Sequence, residues 1–501
     1  MKPLVACALA VGCSLSAAGQ PLTTQNMQLP PISDNHSGKW LSELCKFGSI
    51  RNNVFEADDI RKNAAYLDEL LKREGFRSEV WNTPSGKPFV YGELRSGAHY
   101  PTVLFYSHFD GVPVDTGQWS SDPYSPVLRN AQGSEATMEQ ALAEPGSHRL
   151  YGRSVADSKN AVISLLAALS MLRAEGKSPA MNIRLLLDGE EELESPHLRT
   201  TVLDHREQLA ADLVVSASGE THQSGLPTIA FGVRGILTLD IVLHTATTDL
   251  HSGHFGNFAP NAALKLSRLL GGMKDDQGRV LIPGFYDQVT PLSESEKRAL
   301  SAVPPIERHI RDQFSVTGQE TPGTLQELIN QPTFNIRGIQ AGYVGEQASN
   351  IIPARAEAAI DIRLVEGMDP DDTYTAVRNF IRSEGYHVSE TAPTGDHLRR
   401  FGPVVELRRR GSFRATKTDM RSELPARVLA AVQRSTAEPW VIEPTEGGSL
   451  NFSVFGEMGI PLITLPVSNF DCNQHTHNEN LRLDFFLRGI QIFRSLMELG
   501  S

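Results

Sequence analysis

The sequence predicts an α/β protein whose mostly parallel-sheet catalytic domain is discontinuous and carries an inserted α+β lid and dimerisation domain. Between about residues 50 and 230, short apolar runs alternate with segments whose apolar residues have helical spacing. From 229 to 406 apolar and polar residues alternate, as in strands with one buried face, and the first pattern returns near 415. We therefore expect a catalytic domain from residues 36–228 and 407–501, interrupted by residues 229–406. A chain of 501 residues with 40% hydrophobic residues is long enough for two cores.

Four apolar runs are predicted to be strands that end at polar clusters. Residues 103–106 end at His108, 183–187 at the acidic run 188–192, and 213–215 at residues 216–218, while 462–465 lead through a loop to His475. In open parallel sheets, ligands bind beyond the carboxyl ends of the strands. The polar clusters are thus predicted to lie together.

Further helices and strands are predicted within the two domains. Residues 161–172 have apolar positions at helical spacing, with Asp157 just before the helix entry, where an acidic residue is also an ordinary helix-start charge. In the inserted domain, residues 237–243 and 358–364 alternate as strands with one buried face do. A predicted helix at 424–433 begins the return to the catalytic domain.

The first eighteen residues have the pattern of a secretory signal peptide. Lys2 is the one charge, and an apolar stretch at 4–15 and small residues at 16–18 follow it. This pattern indicates a secreted or periplasmic protein, with a lipoprotein anchored at Cys13 as the second-ranked alternative. After cleavage, Cys45 and Cys472 remain and could form a disulfide bridge. Cys472 also stands three residues before His475, as a thiolate ligand could, but without a second Cys-x-x-Cys or Cys-x-x-His partner an ordinary small residue is favoured there.

Charge and hydropathy narrow the range of partners. The formal net charge of −12 leaves no broad basic surface for phosphates, so we expect no nucleic-acid partner. No stretch after the signal is long and apolar enough to be a transmembrane helix.

The polar clusters supply the parts of a metal-dependent hydrolase. Such an enzyme needs ligands for the metal, an activated water and a base for that water's proton. His108, Asp157, the run 190–192 and His475 offer these groups. Each alone is an ordinary surface residue, but together they follow successive predicted strands.

Eight motifs in order give the chain a family resemblance. They are SHFDGVPVD (107–115), Trp119 with Asp122-Pro123, YGRSVADSKN (151–160), DGEEELESPHL (188–198), HSGHFGN (251–257), IDIRLVEGMDP (360–370), EGGSLNF (446–452) and HTHNEN (475–480). The chain resembles the di-zinc peptidase family of carnosine dipeptidases, aminoacylases and glutamate carboxypeptidases, and it is most similar to the dipeptidase branch.

The resemblance implies a catalytic centre with two zinc ions per chain. The implied metal ligands are His108, Asp157, Glu192 and His475, with Asp157 bridging both ions. Ser195 fixes the register of the acidic motif, so that Glu191 is the implied general base and Glu190 a bystander. Asp110 is the implied carboxylate that orients the imidazole of His108.

Further implied residues bind the substrate. His251 would supply the oxyanion donor, often within the partner subunit of a homodimer, and Arg363 would hold a substrate carboxylate. The backbone of Gly447, Gly448 and Ser449 would lie against the substrate. For His251 and Arg363, a structural turn histidine and an exposed strand arginine are the ordinary alternatives.

The predicted activity is hydrolysis of the amide bond in dipeptides or short peptides through a metal-activated water. The alternatives are hydrolysis of N-acyl amino acids and a metal-poor descendant that binds peptides without cleaving them. The second alternative comes from Ser218, which stands where the family has an aspartate ligand and puts the first zinc site in doubt. Glu220, two residues on, is a candidate replacement, although a loop acid is the ordinary reading.

Overall fold

The computed structural model describes residues 34–499, and the predicted signal peptide with Cys13 lies outside them. Eight strands form the first sheet. In spatial order they are Arg77–Trp81, Phe89–Leu94, Asn182–Asp188, Thr102–His108, Leu213–Ser216, Leu462–Thr464, Thr228–Ala230 and Val441–Glu443. The four central strands from Asn182 to Thr464 run parallel, which confirms the mostly parallel sheet.

Apolar helices cover this sheet. Helix Lys159–Ala174 is buried over nearly its whole length and contacts helices Asp34–Gly48 and Leu483–Met497. Helices Ala57–Arg73 and Glu423–Gln433 bury one apolar side each, as their amphipathic spacing requires. Burial on both faces explains the continuous apolar runs of the central strands.

A second sheet has its own core. Its main strands, in spatial order, are Thr333–Ala341, Arg355–Leu364, Gly232–His244, Val404–Phe413 and His387–Ser389. Neighbours are antiparallel except for the last pair. Helices Ala262–Gly271 and Pro370–Ser383 pack on its apolar face. The α/β catalytic domain with an added lid domain is thus confirmed, whereas the exact boundaries at 229 and 406 stay predictions.

Strand Gly232–His244 of the lid sheet also pairs with two short strands of the catalytic domain. The start of Gly232–His244 pairs with Thr416–Lys417 and, in parallel, with Glu446–Ser449. This long strand therefore places the EGGS motif beside the lid. Among residues 34–499, no helix is long and apolar enough to span a membrane.

Candidate active site

Three predicted metal ligands lie together beyond the carboxyl ends of the parallel strands. Nε2 of His475 is 3.2 Å from Oδ2 of Asp157 and 2.9 Å from Oε2 of Glu192. One ligand atom from each residue lies within 4.8 Å of the other two. One imidazole and two carboxylates form a donor set that zinc accepts. These three residues therefore fit a divalent metal ion.

His108 and Asp110 adjoin this cluster. Nε2 of His108, at the end of strand Thr102–His108, is 2.9 Å from Oδ1 of Asp157, and its Nδ1 is 3.2 Å from Oδ1 of Asp110. Oδ2 of the fully buried Asp110 accepts the backbone N–H of Glu192 at 3.0 Å. Asp110 thus contacts both the imidazole and the backbone of a predicted ligand, as an orienting carboxylate does.

The site has an excess of negative charge. Burial alone would lower the pKa of His108, but the carboxylates of Glu191 and Asp157 raise it well above its usual value. Hydrogen bonds to Asp157 and Glu192 raise the pKa of His475 to about 10. A bound cation would compensate these carboxylates and would require both imidazoles in their neutral form.

The adjacent glutamates 190 and 191 have different surroundings. Glu190 is fully buried: its Oε1 accepts the backbone N–H of His197 at 2.9 Å, and its Oε2 accepts the hydroxyl of Ser85 at 2.6 Å. Glu191 instead lines the cavity beside the cluster, with Oε2 3.9 Å from Nε2 of His108. Burial raises the pKa of Glu191 to about 8. A carboxylate of this kind suits proton transfer near neutral pH, whereas Glu190 is occupied by structural hydrogen bonds.

A buried carboxylate that was not among the predicted site residues, Glu479, holds the loop that carries Asp157. Oε1 of Glu479 accepts the backbone N–H groups of Ala156 and Asp157, both at 3.1 Å. Its Oε2 accepts the backbone N–H of Ser154 at 2.9 Å and Nη1 of Arg153 at 2.8 Å. One side chain thereby fixes the backbone that presents Asp157.

The signal for this carboxylate was present in the HTHNEN motif. Glu479 follows His475 by four residues, so the same segment carries a predicted ligand and the anchor of another. Gln474 from this segment also donates its Nε2–H to Oδ2 of Asp157 at 2.6 Å. Residues 474–479 therefore carry three groups that act on the site, of which the family resemblance implied only His475.

Arg363 and the EGGS segment line two cavities that meet at Glu191. Nη1 of Arg363 donates to Oγ of Ser449 at 2.7 Å, beside a cavity of about 250 Å³ that Glu191 and His475 also line. Gly447, Gly448 and Ser449 line a second cavity of about 460 Å³, again with Glu191 and His475. The structure therefore brings the predicted substrate residues to the candidate catalytic residues.

His251 lies elsewhere on the lid domain. It is exposed, its Nδ1 accepts the backbone N–H of Gly253 at 3.1 Å, and it lines neither cavity within the described chain. If His251 takes part in catalysis, it does so in the active site of a second subunit. The catalytic role of His251 and the homodimer stay predictions.

Ser218 and Glu220 face the larger cavity without joining the metal cluster. The hydroxyl of Ser218 donates to Oγ of Ser107 at 3.4 Å, and Oε1 of Glu220 accepts from Sγ of Cys472 at 3.0 Å. Within residues 36–499, Asp157, Glu192 and His475 form the one group with metal-ligand spacing. Cys45 and Cys472 are both free, so they form no disulfide here.

A cluster with metal-ligand spacing beside a carboxylate of raised pKa is the arrangement that a metal-dependent hydrolase needs. The model of Peptidase family M20/M25/M40 matches residues 104–499. The chain belongs to this family and is a metallopeptidase, which confirms the resemblance seen in the motifs.

Individual relatives agree with this assignment. The chain is 25% identical over 426 residues to the Cys-Gly metallodipeptidase of Schizosaccharomyces pombe, covering 83% of each chain. It is 30% identical over 293 residues to the Beta-Ala-His dipeptidase of Mus musculus, covering 56% of this chain and 55% of the relative.

Solved structures show the same fold. The M20 family metallo-carboxypeptidase Sso-CP2 from Sulfolobus solfataricus superposes with a TM-score of 0.76 at 25% identity, covering 92% of this chain and 99% of the other. Human carnosine dipeptidase 1 has a TM-score of 0.69 at 22% identity, with 93% and 97% covered. The second likeness is one of fold alone.

Proposed function

We propose that this metallopeptidase hydrolyses dipeptides or short peptides that have a free C-terminal carboxylate, with zinc as its metal and Glu191 as the general base. The observation that carries the proposal is the position of Glu191, which lines both cavities beside the metal cluster, while Arg363 lines the smaller one. The dipeptidases among the relatives support it.

The proposed mechanism assigns each group one task. Zinc held by Asp157, Glu192 and His475 would act as a Lewis acid that polarises the scissile carbonyl and acidifies water. The carboxylate of Glu191 accepts the proton of the attacking water and delivers it to the leaving amine. Asp110 keeps the imidazole of His108 oriented. Because each task belongs to a different side chain, the catalytic groups are already in position before the substrate binds.

A substrate comparison tests this function against its alternatives. Zinc-loaded protein should cleave alanyl-glycine-type dipeptides faster than the matched N-acetyl amino acids, because the larger cavity has room for a whole N-terminal residue. A preference for the N-acetyl compounds would favour an amidohydrolase. Binding of dipeptides without turnover by zinc-loaded protein would favour the non-catalytic descendant.

Arg363→Ala should weaken the use of substrates with a free C-terminal carboxylate much more than the use of their amides. Losing one charged hydrogen-bonded contact costs about 1.5–3 kcal/mol, or roughly 10- to 150-fold in kcat/KM. Steady-state kinetics on a dipeptide and its C-terminal amide measure the difference. Equal losses on both substrates would remove Arg363 from the carboxylate-binding role.

For the metal content, we propose one tight zinc at Asp157, Glu192 and His475 and a weaker second site at His108. The second site lacks an anionic ligand where Ser218 stands, and Glu220 is hydrogen-bonded to Cys472. Ser218→Asp should therefore raise the affinity for the second zinc, measured by calorimetric titration of chelator-treated protein. Two tight sites in the wild type that Glu220→Ala reduces to one would instead assign Glu220 as the missing ligand.

Two further features belong to the proposal. A homodimer through the lid domain would let His251 of one subunit reach the other's site. The apolar segment at residues 4–15 supports export from the cytoplasm, with a secreted or periplasmic enzyme as the result.

A further inference from the structure

Part of the lining of the larger cavity, here called the recess, is polar and consists of residues outside the metal cluster. Thr221, His222 and Gln326 line it and are at most 5% exposed. Oγ1 of Thr221, Nε2 of His222 and Oε1 of Gln326 have no hydrogen-bond partner in the described part of the chain. Buried polar groups without partners cost free energy, so three of them around one cavity indicate a polar ligand.

The hydrogen-bonding character of each atom can be assigned. Nε2 of Gln326 donates to Oε1 of Glu443 at 2.9 Å, which leaves Oε1 of Gln326 as a free acceptor. The backbone N–H of Ser224 donates to Nδ1 of His222 at 3.2 Å, which places the ring hydrogen on Nε2. Burial lowers the pKa of His222 to about 4, so the ring is neutral. The hydroxyl of Thr221 can donate or accept.

The recess contains two buried carboxyl groups. Glu443 is 6% exposed, and burial together with the charge of nearby Glu446 raises its pKa to about 8. Oε2 of Glu446 also has no hydrogen-bond partner. Among the described residues that line the cavity, none is a lysine or an arginine. Acceptors outnumber donors here, and an entering cation would stabilise the ionised form of the two carboxylates.

The position of Arg363 decides which part of a peptide enters the recess. Arg363 lines the smaller cavity and not the larger one, the recess belongs to the larger cavity, and Glu191 lines both. A substrate with its carboxylate at Arg363 and its scissile amide at Glu191 would extend its N-terminal residue into the larger cavity. Its volume of about 460 Å³ accommodates a long side chain.

We propose that Thr221, Gln326 and Glu443 form a specificity recess for peptides whose N-terminal residue has a cationic side chain, lysine or arginine. The proposal rests on the proposed peptidase function, which fixes the direction of the substrate. The carboxyl group of Glu443 releases its proton to solvent when the cation enters and then supplies the negative charge, and the side-chain amide oxygen of Gln326 and the hydroxyl of Thr221 supply neutral acceptors for the remaining N–H groups.

The test compares arginyl-glycine with citrullinyl-glycine, which has nearly the same shape without the charge. The wild type should prefer the arginyl peptide by about tenfold or more in kcat/KM, the value of one charged hydrogen bond. Glu443→Gln should lower kcat/KM for arginyl-glycine by a similar factor and affect citrullinyl-glycine far less. The control Glu423→Gln removes an exposed carboxylate, 89% exposed, and should leave the preference unchanged.

Binding measurements separate this proposal from the proposed function. Calorimetry with Glu191→Gln protein gives dissociation constants for both peptides without turnover. If the wild type cleaves no dipeptide, the proposed function fails, and the ratio of dissociation constants still decides the recess. A preference of at least tenfold for the arginyl peptide that Glu443→Gln abolishes supports the recess. Equal affinities, or a preference that survives Glu443→Gln, would overturn it.

Discussion

Glu191→Gln should lower kcat by about 10²–10⁴-fold, the range attributed to a positioned general acid–base group. The substitution keeps the shape of the side chain but removes its ability to accept a proton. Glu191 is not one of the three residues with metal-ligand spacing, Asp157, Glu192 and His475, so the metal content should stay unchanged. Steady-state kinetics on a dipeptide and metal analysis of the same preparation check both statements.

Glu190→Gln is the matched control for Glu191→Gln. Both are glutamates in one short acidic run, but Glu190 is bound to Ser85 and His197 and lines neither cavity. Its replacement should affect stability more than kcat. If Glu190→Gln abolishes turnover and Glu191→Gln does not, the register of the acidic motif is wrong.

Glu479→Ala should destabilise the protein by about 3–5 kcal/mol, the cost of leaving one partner of a buried ion pair alone. Glu479 and Arg153 have side chains that are 1% and 3% exposed, with 2.8 Å between Oε2 and Nη1. The backbone N–H groups of residues 154, 156 and 157 lose their acceptor as well. Urea denaturation monitored by circular dichroism measures the change.

The exposed pair Arg199–Glu457 supplies the control for Glu479→Ala. Its side chains are 51% and 47% exposed at a separation of 2.7 Å, so Glu457→Ala should cost less than about 1 kcal/mol. Zinc affinity should fall with Glu479→Ala because the loop that carries Asp157 loses its anchor. Equal stability changes in the two variants would show that Glu479 is not the anchor of this loop.

Local patterns predicted the catalytic sheet and the positions of the site residues on it. Runs at 103–106 and 183–187 became strands Thr102–His108 and Asn182–Asp188, because both faces of these strands are buried and need apolar side chains. Parallel strands end at one edge, and for this reason His108 and Glu192 came near each other. The roles of individual residues came from the family resemblance.

Other parts of the site depend on contacts that no local pattern reports. Gln326 meets Glu443 only because the lid helix Leu325–Ile329 lies over the end of strand Val441–Glu443, 117 residues away in sequence. His475 reaches the cluster from a backbone with φ of 59°, in the left-handed region that few residues other than glycine adopt. Tertiary packing determines both features, so no local sequence pattern indicates the recess or the approach of His475.

The central claim is that turnover depends on a metal held by Asp157, Glu192 and His475. The most direct measurement is dipeptide hydrolysis by chelator-treated protein during titration with zinc, beside the variant His475→Ala. We expect no turnover without metal, recovery as zinc is added to the wild type, and no recovery in the variant at the same zinc concentrations. Full turnover by protein from which all metal has been removed would contradict the account.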